Sequence, residues 1–334
     1  VVVLLGSFYT ARIRMQEQDL HNQISRDIEE IPWKFTRLIE TQADGLSAAI
    51  EVIADGIDRQ RAFMERDTVY LLETYTPLFN TLLAENGITH FYFHLPDRTN
   101  LLRIHKPEKR GDVITRFTAR EAEETGEKSV GIELGPLGTF TLRVVKPVYI
   151  RETMVGFLEL GKEIEEVLAA LHERQDIELA VSIHKKMLER PQWEAGMAML
   201  NRQAQWDRFE ENVLIYSSLQ PFPSTLDGFV SEREHRHEQI TNEVLVNNRP
   251  IRIAAFPLHD TSGSDVGDFI IMRDISQEKG IYVRSLLTSA FLMVLLIGVF
   301  IFFLLLLIRR ADRVVLDREQ ALQKAKEETE ALNV

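Results

Sequence analysis

Pro147-Val148-Tyr149-Ile150-Arg151-Glu152-Thr153-Met154-Val155-Gly156 opens a stretch whose last apolar residue is Ile164. The chain later repeats it, running from Pro257-Leu258 through Val266-Gly267 to Ile275. Glycine and isoleucine stand eight residues apart in both copies, and proline and glycine nine apart in one and ten in the other. An arginine precedes each copy, Arg143 and Arg252. Apolar segments of strand length broken by turn residues read as paired strands, so the chain carries one small module twice. Directly after the second copy, Ser285–Ile308 runs for 24 residues without a charge.

That apolar run sets the topology. As a helix it rises ~36 Å, enough to cross a ~30 Å hydrocarbon core with some tilt. A buried core helix is the competing reading, and a run this rich in Leu, Ile, Phe and Val speaks against it. Arg309, Arg310 and Arg313 follow, and the positive-inside rule assigns that side to the cytoplasm. Val1–Tyr9 is apolar but too short to span, and residues 1–10 read as the outer end of a first membrane helix. Residues 11–284 are then expected outside a bacterial inner membrane and residues 309–334 in the cytoplasm.

Composition narrows the function. The chain has 334 residues, a hydrophobic fraction of 45% and a formal charge of −12. That acidity disfavours nucleic acid as a partner. With no cysteine, disulfides, thiolate catalysis and cysteine metal sites are excluded. No phosphate loop, nucleophile elbow or metalloprotease helix occurs, so no enzyme activity and no cofactor are expected of this segment.

Periodicity supplies the elements. Ile13, Leu20, Ile24, Ile28, Ile31, Phe35 and Leu38 mark a long amphipathic helix, kinked at Pro32 and ended near Gly45. A second helical stretch carries Leu46, Ile50, Ile53 and Ile57, and another covers about Phe63–Ala84 with Asn86-Gly87 as its stop. The spacing then predicts strands over His90–Leu95, Asn100–Lys106, Gly131–Leu134, Thr139–Val148 and Val155–Leu160, and helices over Thr118–Thr125 and Lys162–His172. In the second module it predicts strands over Ile177–Ile183, Val213–Ser218, Thr241–Val246, Arg249–Pro257 and Val266–Met272, and a helix over Pro191–Trp206. Asn247-Asn248 suits a tight hairpin turn. The expected fold is α/β: a long N-terminal helix, then two modules of mostly antiparallel sheet. The expected division is a helical stalk over 11–85, a distal module over 86–164, a proximal module over 165–280, a membrane helix over 285–308, and a cytoplasmic helix over 309–334. In that last helix Ala311, Val315, Leu322, Ala325, Thr329 and Leu332 trace a coiled-coil seam interrupted by Arg318. A solvated juxtamembrane helix is the other reading.

These residues resemble the Cache family of extracytoplasmic sensor domains, which share a PAS-like antiparallel sheet. The resemblance rests on Phe91-Tyr92-Phe93, on Leu102-Arg103-Ile104-His105-Lys106-Pro107 with Gly111-Asp112, and on Gly138 through Val148 closing on Val155-Gly156. It covers about Ala11 to Ile275 and is similar to the double Cache ectodomains of sensor histidine kinases in two-component systems. The first module also resembles single-Cache citrate and dicarboxylate sensors, which place an Arg and a His before a Pro, and a basic pair before Pro-Val. That resemblance implies Arg103 and His105 before Pro107, and Arg143 and Lys146 before Pro147-Val148. Both pairs differ from the family's spacing by one residue, so the ligand itself does not carry over.

Strand geometry adds to this. Residues two apart share a face, which aligns Arg103 with His105 and Arg143 with Thr139 and Thr141. Guanidinium forks suit a carboxylate or phosphate. His105 can add a donor that strengthens on protonation, and Tyr92 can close the pocket. The alternative leaves these cations on the surface, paired with Glu108, Asp112 or Glu133. His235-Arg236-His237-Glu238 and the pair His90 and His94 offer imidazoles but no convincing metal set.

The expected function is a ligand-sensing ectodomain with its membrane-coupling helix, binding a small anionic solute in the distal module as a parallel homodimer. The resemblance implies a histidine kinase first for the output, and the absence of proline between Arg309 and Val334 speaks against the HAMP module usual in chemoreceptors of this layout. A diguanylate cyclase or chemoreceptor is the alternative. From a different class, the modules form a docking ectodomain that senses through a protein partner.

Overall fold

The computed structural model describes residues 2–135, 137–199, 202–231 and 242–331. Two compact units divide the chain, one from Ser25 to Ile275 and the other made of the segments up to Ile24 and from Ser276 onward.

Helix α1 (Val2–Glu29) gives way to α2 (Ile31–Ala54) at Glu30. Pro32 sits in the first turn of α2, where a missing N–H costs nothing. The expected stop at Gly45 does not occur. Ile31, Phe35, Ile39, Ala43, Leu46, Ile50 and Ile53 keep one buried stripe through it, and that burial outweighs the ~1 kcal/mol cost of a helical glycine. The single helix expected over Phe63–Ala84 is two, α3 (Ile57–Glu65) and α4 (Thr68–Asn86). Arg66 turns left-handed between them, and Asp67 caps α4 by accepting the Tyr70 N–H at 3.0 Å. Gly87, at φ 64°, ends α4.

Two five-stranded antiparallel sheets follow. The distal sheet holds β1 (Ile88–His94), β2 (Asn100–Arg103), β3 (Ser129–Leu134), β4 (Phe140–Ile150) and β5 (Thr153–Glu163). Helix α5 (Phe117–Thr125) precedes β3, and α6 (Glu165–Gln175) leads out. The proximal sheet holds β6 (Glu178–His184), β7 (Asn212–Ser217), β8 (Asn242–Val246), β9 (Arg249–His259) and β10 (Asp265–Asp274). Helices α7 (Arg190–Met199) and α8 (Asp227–Ser231) belong to this module. The strand orders are β2-β1-β5-β4-β3 and β7-β6-β10-β9-β8, the same path traced twice. Asn247 and Asn248, at φ 50° and 66°, form the expected tight turn between β8 and β9.

The shared glycine of the repeat has one cause in both modules. A Cβ on Gly156 would strike the carbonyl of His94, and one on Gly267 the carbonyl of Ser182. Each glycine lets the central strand of its sheet press against its neighbour.

One face of the distal sheet is aromatic and packs on the helices. Tyr75 of α4 meets Phe91 at 5.4 Å and Phe93 at 5.3 Å, and its hydroxyl donates to the Ile53 carbonyl at 2.7 Å. In the proximal module Phe35 of α2 stacks on Phe269 at 5.2 Å, and Asp27 pairs with Arg273 at 2.6 Å. The second unit pairs the first part of α1 with α9 (Ser276–Ala331): Tyr9 donates to the Leu286 carbonyl at 3.3 Å, and Gln16 bonds Ser285 at 3.3 Å. Among the described residues, α9 is the one helix long and apolar enough to cross a membrane.

Candidate ligand site

Residues directly opposite one another in a sheet share a face. Tyr92 lies opposite both Arg103 and Glu159, while Gly161 joins His90 on one side to Arg143 on the other. Strand alternation adds His94 and Thr141 to this face, away from α2–α4. His105 lies one turn beyond β2, whose strand ends at Arg103, yet its ring still meets Tyr92 at 4.8 Å and His90 at 4.9 Å. The structure thus brings Tyr92, Arg103, His105, Thr141 and Arg143 onto one face.

Lys146 is not with them, which corrects the sequence expectation. Three residues from Arg143 is an odd step, so Lys146 points to the other face and pairs with Glu51 of α2 at 2.5 Å.

The centre of the face is a residue that the sequence reading missed. Glu159 on β5 has no exposed side-chain surface and gathers Arg116 at 2.5 Å, Arg143 at 2.7 Å and His94 at 2.8 Å. Burial alone would raise its pKa; the guanidinium charges of Arg116 and Arg143 and the His94 hydrogen bond outweigh that and hold it well below the usual range. Arg116, also missed, lies at the N-terminus of α5, bridges to Glu133 at 3.4 Å and stacks over the Tyr92 ring at 5.1 Å. Glu133 on β3 accepts the Thr118 N–H at 2.8 Å and lies 3.4 Å from Arg143. Arg103 forks onto Asp112 at 2.6 and 2.7 Å, bonds the Lys109 carbonyl and stacks on Tyr92 at 5.2 Å. The carboxylate pairing weighed as the alternative therefore exists for Arg103 and Arg143. Both arginines are nonetheless buried, at 5% and 4% exposure, so they are not surface cations.

Burial disfavours the charged form of the imidazoles on this face. Burial pulls His105 down to about 4, and burial with the Arg143 charge holds His90 well below its ordinary value. A charged His105 donor, as the sequence suggested, is thus disfavoured. Glu163, which accepts from Thr141 at 3.2 Å, is pushed up to about 7 by burial and by the neighbouring Glu165 charge.

The same positions in the proximal sheet carry different chemistry. Aligning Gly156 with Gly267 sets Glu159 on Ile270, and strand pairing then equates Tyr92 with Ala180, Arg103 with Ser217, and Arg143 with Ile253. Arg252, which the sequence paired with Arg143, is one residue out of register and so on the other face. There it lies 3.9 Å from Glu243. The proximal face is filled by Phe209, Phe222, Leu226, Phe229 and Val230 packed on Ala180, Ile253 and Ile270. Beside that cluster, at the β7 edge, lies a cleft of about 410 Å³ that Leu214, Ser217 and Phe222 line together with Arg202, Arg208 and Gln220. The His235–Glu238 cluster lies outside the described residues.

A family model described as the double sensory domain of two-component sensor kinase matches residues 21–278. The chain is similar in fold to a domain of a sensory box/GGDEF family protein from Vibrio parahaemolyticus, with 12% identity over 79% of this chain and 98% of that one, at a TM-score of 0.42. It is similar to the sensor domain of the V. cholerae histidine kinase DctB, with 11% identity over 78% and 98% of the two chains and a TM-score of 0.42. The ligand-binding domain of the Campylobacter jejuni chemoreceptor Tlp3, solved with 4-methylisoleucine, gives 12% identity over 80% and 92%, with a TM-score of 0.34. No curated protein matches the chain by sequence.

Proposed function

The chain belongs to the family of double sensory domains of two-component sensor kinases, and from that premise we propose that its distal module senses a small anionic solute for a histidine kinase. The contrast between the charged distal face and its apolar proximal counterpart carries this reading. Arg116 is the residue placed to capture the ligand. It is 23% exposed, while Glu159 and Glu133 beneath it are 0% and 7% exposed, and it sits in the connection between β2 and α5 rather than in the sheet. A carboxylate taking the Arg116 fork would leave Glu159 held by Arg143 and His94, so no buried charge is stranded. Arg103, Tyr92, His105 and Thr141 line the same face and fix the ligand's orientation.

In this reading residues 11–284 lie outside the inner membrane, α9 crosses it through 285–308, and residues 309–334 pass the signal inward as a parallel homodimer. Ligand can bias the two signalling states only by binding them unequally. The second reading, sensing through a protein partner, draws on Val52, Ile57, Met64 and Val69, large apolar side chains exposed around α3.

The test is a melting screen of the intact chain in nanodiscs against carboxylates, amino acids and phosphates, repeated with Arg116→Ala. A ligand at 100 times its Kd adds ~2.7 kcal/mol. A stabilising carboxylate or phosphate that Arg116→Ala abolishes supports the anion site. A broad screen without a hit sinks it and favours the partner reading.

A further inference from the structure

Strand β3 touches both the charged face and the other module. Its Glu133 side chain belongs to the charged face, while β3 is also the edge strand of the distal sheet. Edge backbone groups need partners, and here one comes from the other module: the Thr261 N–H donates to the Ile132 carbonyl at 2.9 Å. Thr261 lies in the turn of residues 260–264, between β9 and β10. Gly131, opposite Arg143 in the sheet, has no side chain, and a Cβ there would collide with Thr261. The turn is rigid on its own side, since Asp260 accepts from the amides of Ser262 and Ser264 at 2.9 and 3.1 Å. From this turn β10 runs without interruption to Asp274, and α9 starts at Ser276.

We propose that the Thr261–Ile132 joint is the contact through which the distal face governs β10 and, through it, the membrane helix. It rests on the distal face being the sensing site. When Arg116 turns to a ligand, Glu133 loses one of its two guanidinium neighbours, β3 resettles, and the turn that holds its edge moves with it. The neighbouring loop contact, where Gly138 closes on Trp193 of α7, keeps the modules together while the joint shifts.

The experiment needs no ligand. Amide hydrogen exchange is followed by mass spectrometry on the intact chain in nanodiscs, for the parent, Glu133→Gln and Lys146→Ala. Glu133→Gln weakens the charged contacts at β3 and is expected to speed exchange of peptides holding Thr261 about tenfold, the loss of one backbone hydrogen bond. β4 and β5 stay protected. Lys146→Ala, on the opposite face, leaves Thr261 unchanged. If Glu133→Gln disrupts the distal sheet, seen as lost protection over Phe140–Ile150, then Thr261→Pro, which removes the N–H that the Ile132 carbonyl accepts, reads the joint from the other end. Coupling is reciprocal, so displacing Thr261 should speed exchange of the Thr118 amide, which Glu133 holds. A Thr261 amide indifferent to Glu133→Gln in a folded chain overturns the joint, as does a Thr118 amide indifferent to Thr261→Pro. Neither result bears on whether the distal face binds a solute.

Discussion

At the scale of single residues, the charged face of the distal sheet is governed by buried carboxylates. Glu159 holds three partners at once, so removing it strands Arg143 and His94 in a buried setting. Glu159→Ala is expected to cost about 3–5 kcal/mol, measured by urea unfolding at pH 7, whereas Arg116→Ala, with a partly exposed side chain, should cost far less. Glu163 acts with the opposite sign. Burial and Glu165 raise it to about 7, so the folded protein holds its proton more tightly than the unfolded chain does. Its contribution is complete below the ordinary glutamate range and is lost as pH rises through 7. Glu163→Gln should therefore gain stability on the parent at pH 8, on the order of 2 kcal/mol, and lose that gain at pH 4. Equal effects at both values would show that Glu163 titrates normally. Arg103 and Arg143 came from the family resemblance, and strand alternation set Arg103 beside His105 and Arg143 beside Thr141. The sequence hid Glu159 within Phe157-Leu158-Glu159-Leu160, where alternation alone marks a solvent position. Arg116 reaches Glu159 across 43 residues, which no local pattern encodes. Lys146 was misplaced because the resemblance was weighed above strand parity.

Elements were more legible. The strands came from alternation, and the Gly156 and Gly267 repeat marked where each central strand meets its neighbour. Gly156→Ala and Gly267→Ala should each destabilise by about 1–3 kcal/mol, because a backbone carbonyl is in the way. Gly228→Ala in α8, with open space around it, should be nearly neutral in the same melting series. The helices misled where a punctuating residue competed with packing. Gly45 lies inside α2 because its neighbours on the buried stripe pack continuously, and Arg66 breaks what read as one helix. The register of the second copy could not be fixed from sequence, since Arg252 and Ile253 are adjacent and only pairing with β10 decides which one takes the position of Arg143.

For the whole molecule, two sheets of the same strand order carry different faces. One module keeps a charged face; its counterpart fills the same face with phenylalanines and leads directly into α9. On the proposed reading, recognition belongs to the charged module and coupling to the module that runs into α9. That reading also predicts that Ile270→Ala, at the position of Glu159, costs 2–5 kcal/mol, roughly what a buried isoleucine cavity costs, without altering ligand affinity. The most direct measurement is calorimetric titration of the strongest hit from the melting screen into the intact chain, compared with Arg116→Ala and with Arg202→Ala in the proximal cleft. Recognition by the distal face predicts that Arg116→Ala weakens binding by about tenfold or more, the worth of one charge-assisted pair, while Arg202→Ala binds like the parent. Binding unmoved by Arg116→Ala and lost in Arg202→Ala would contradict the account.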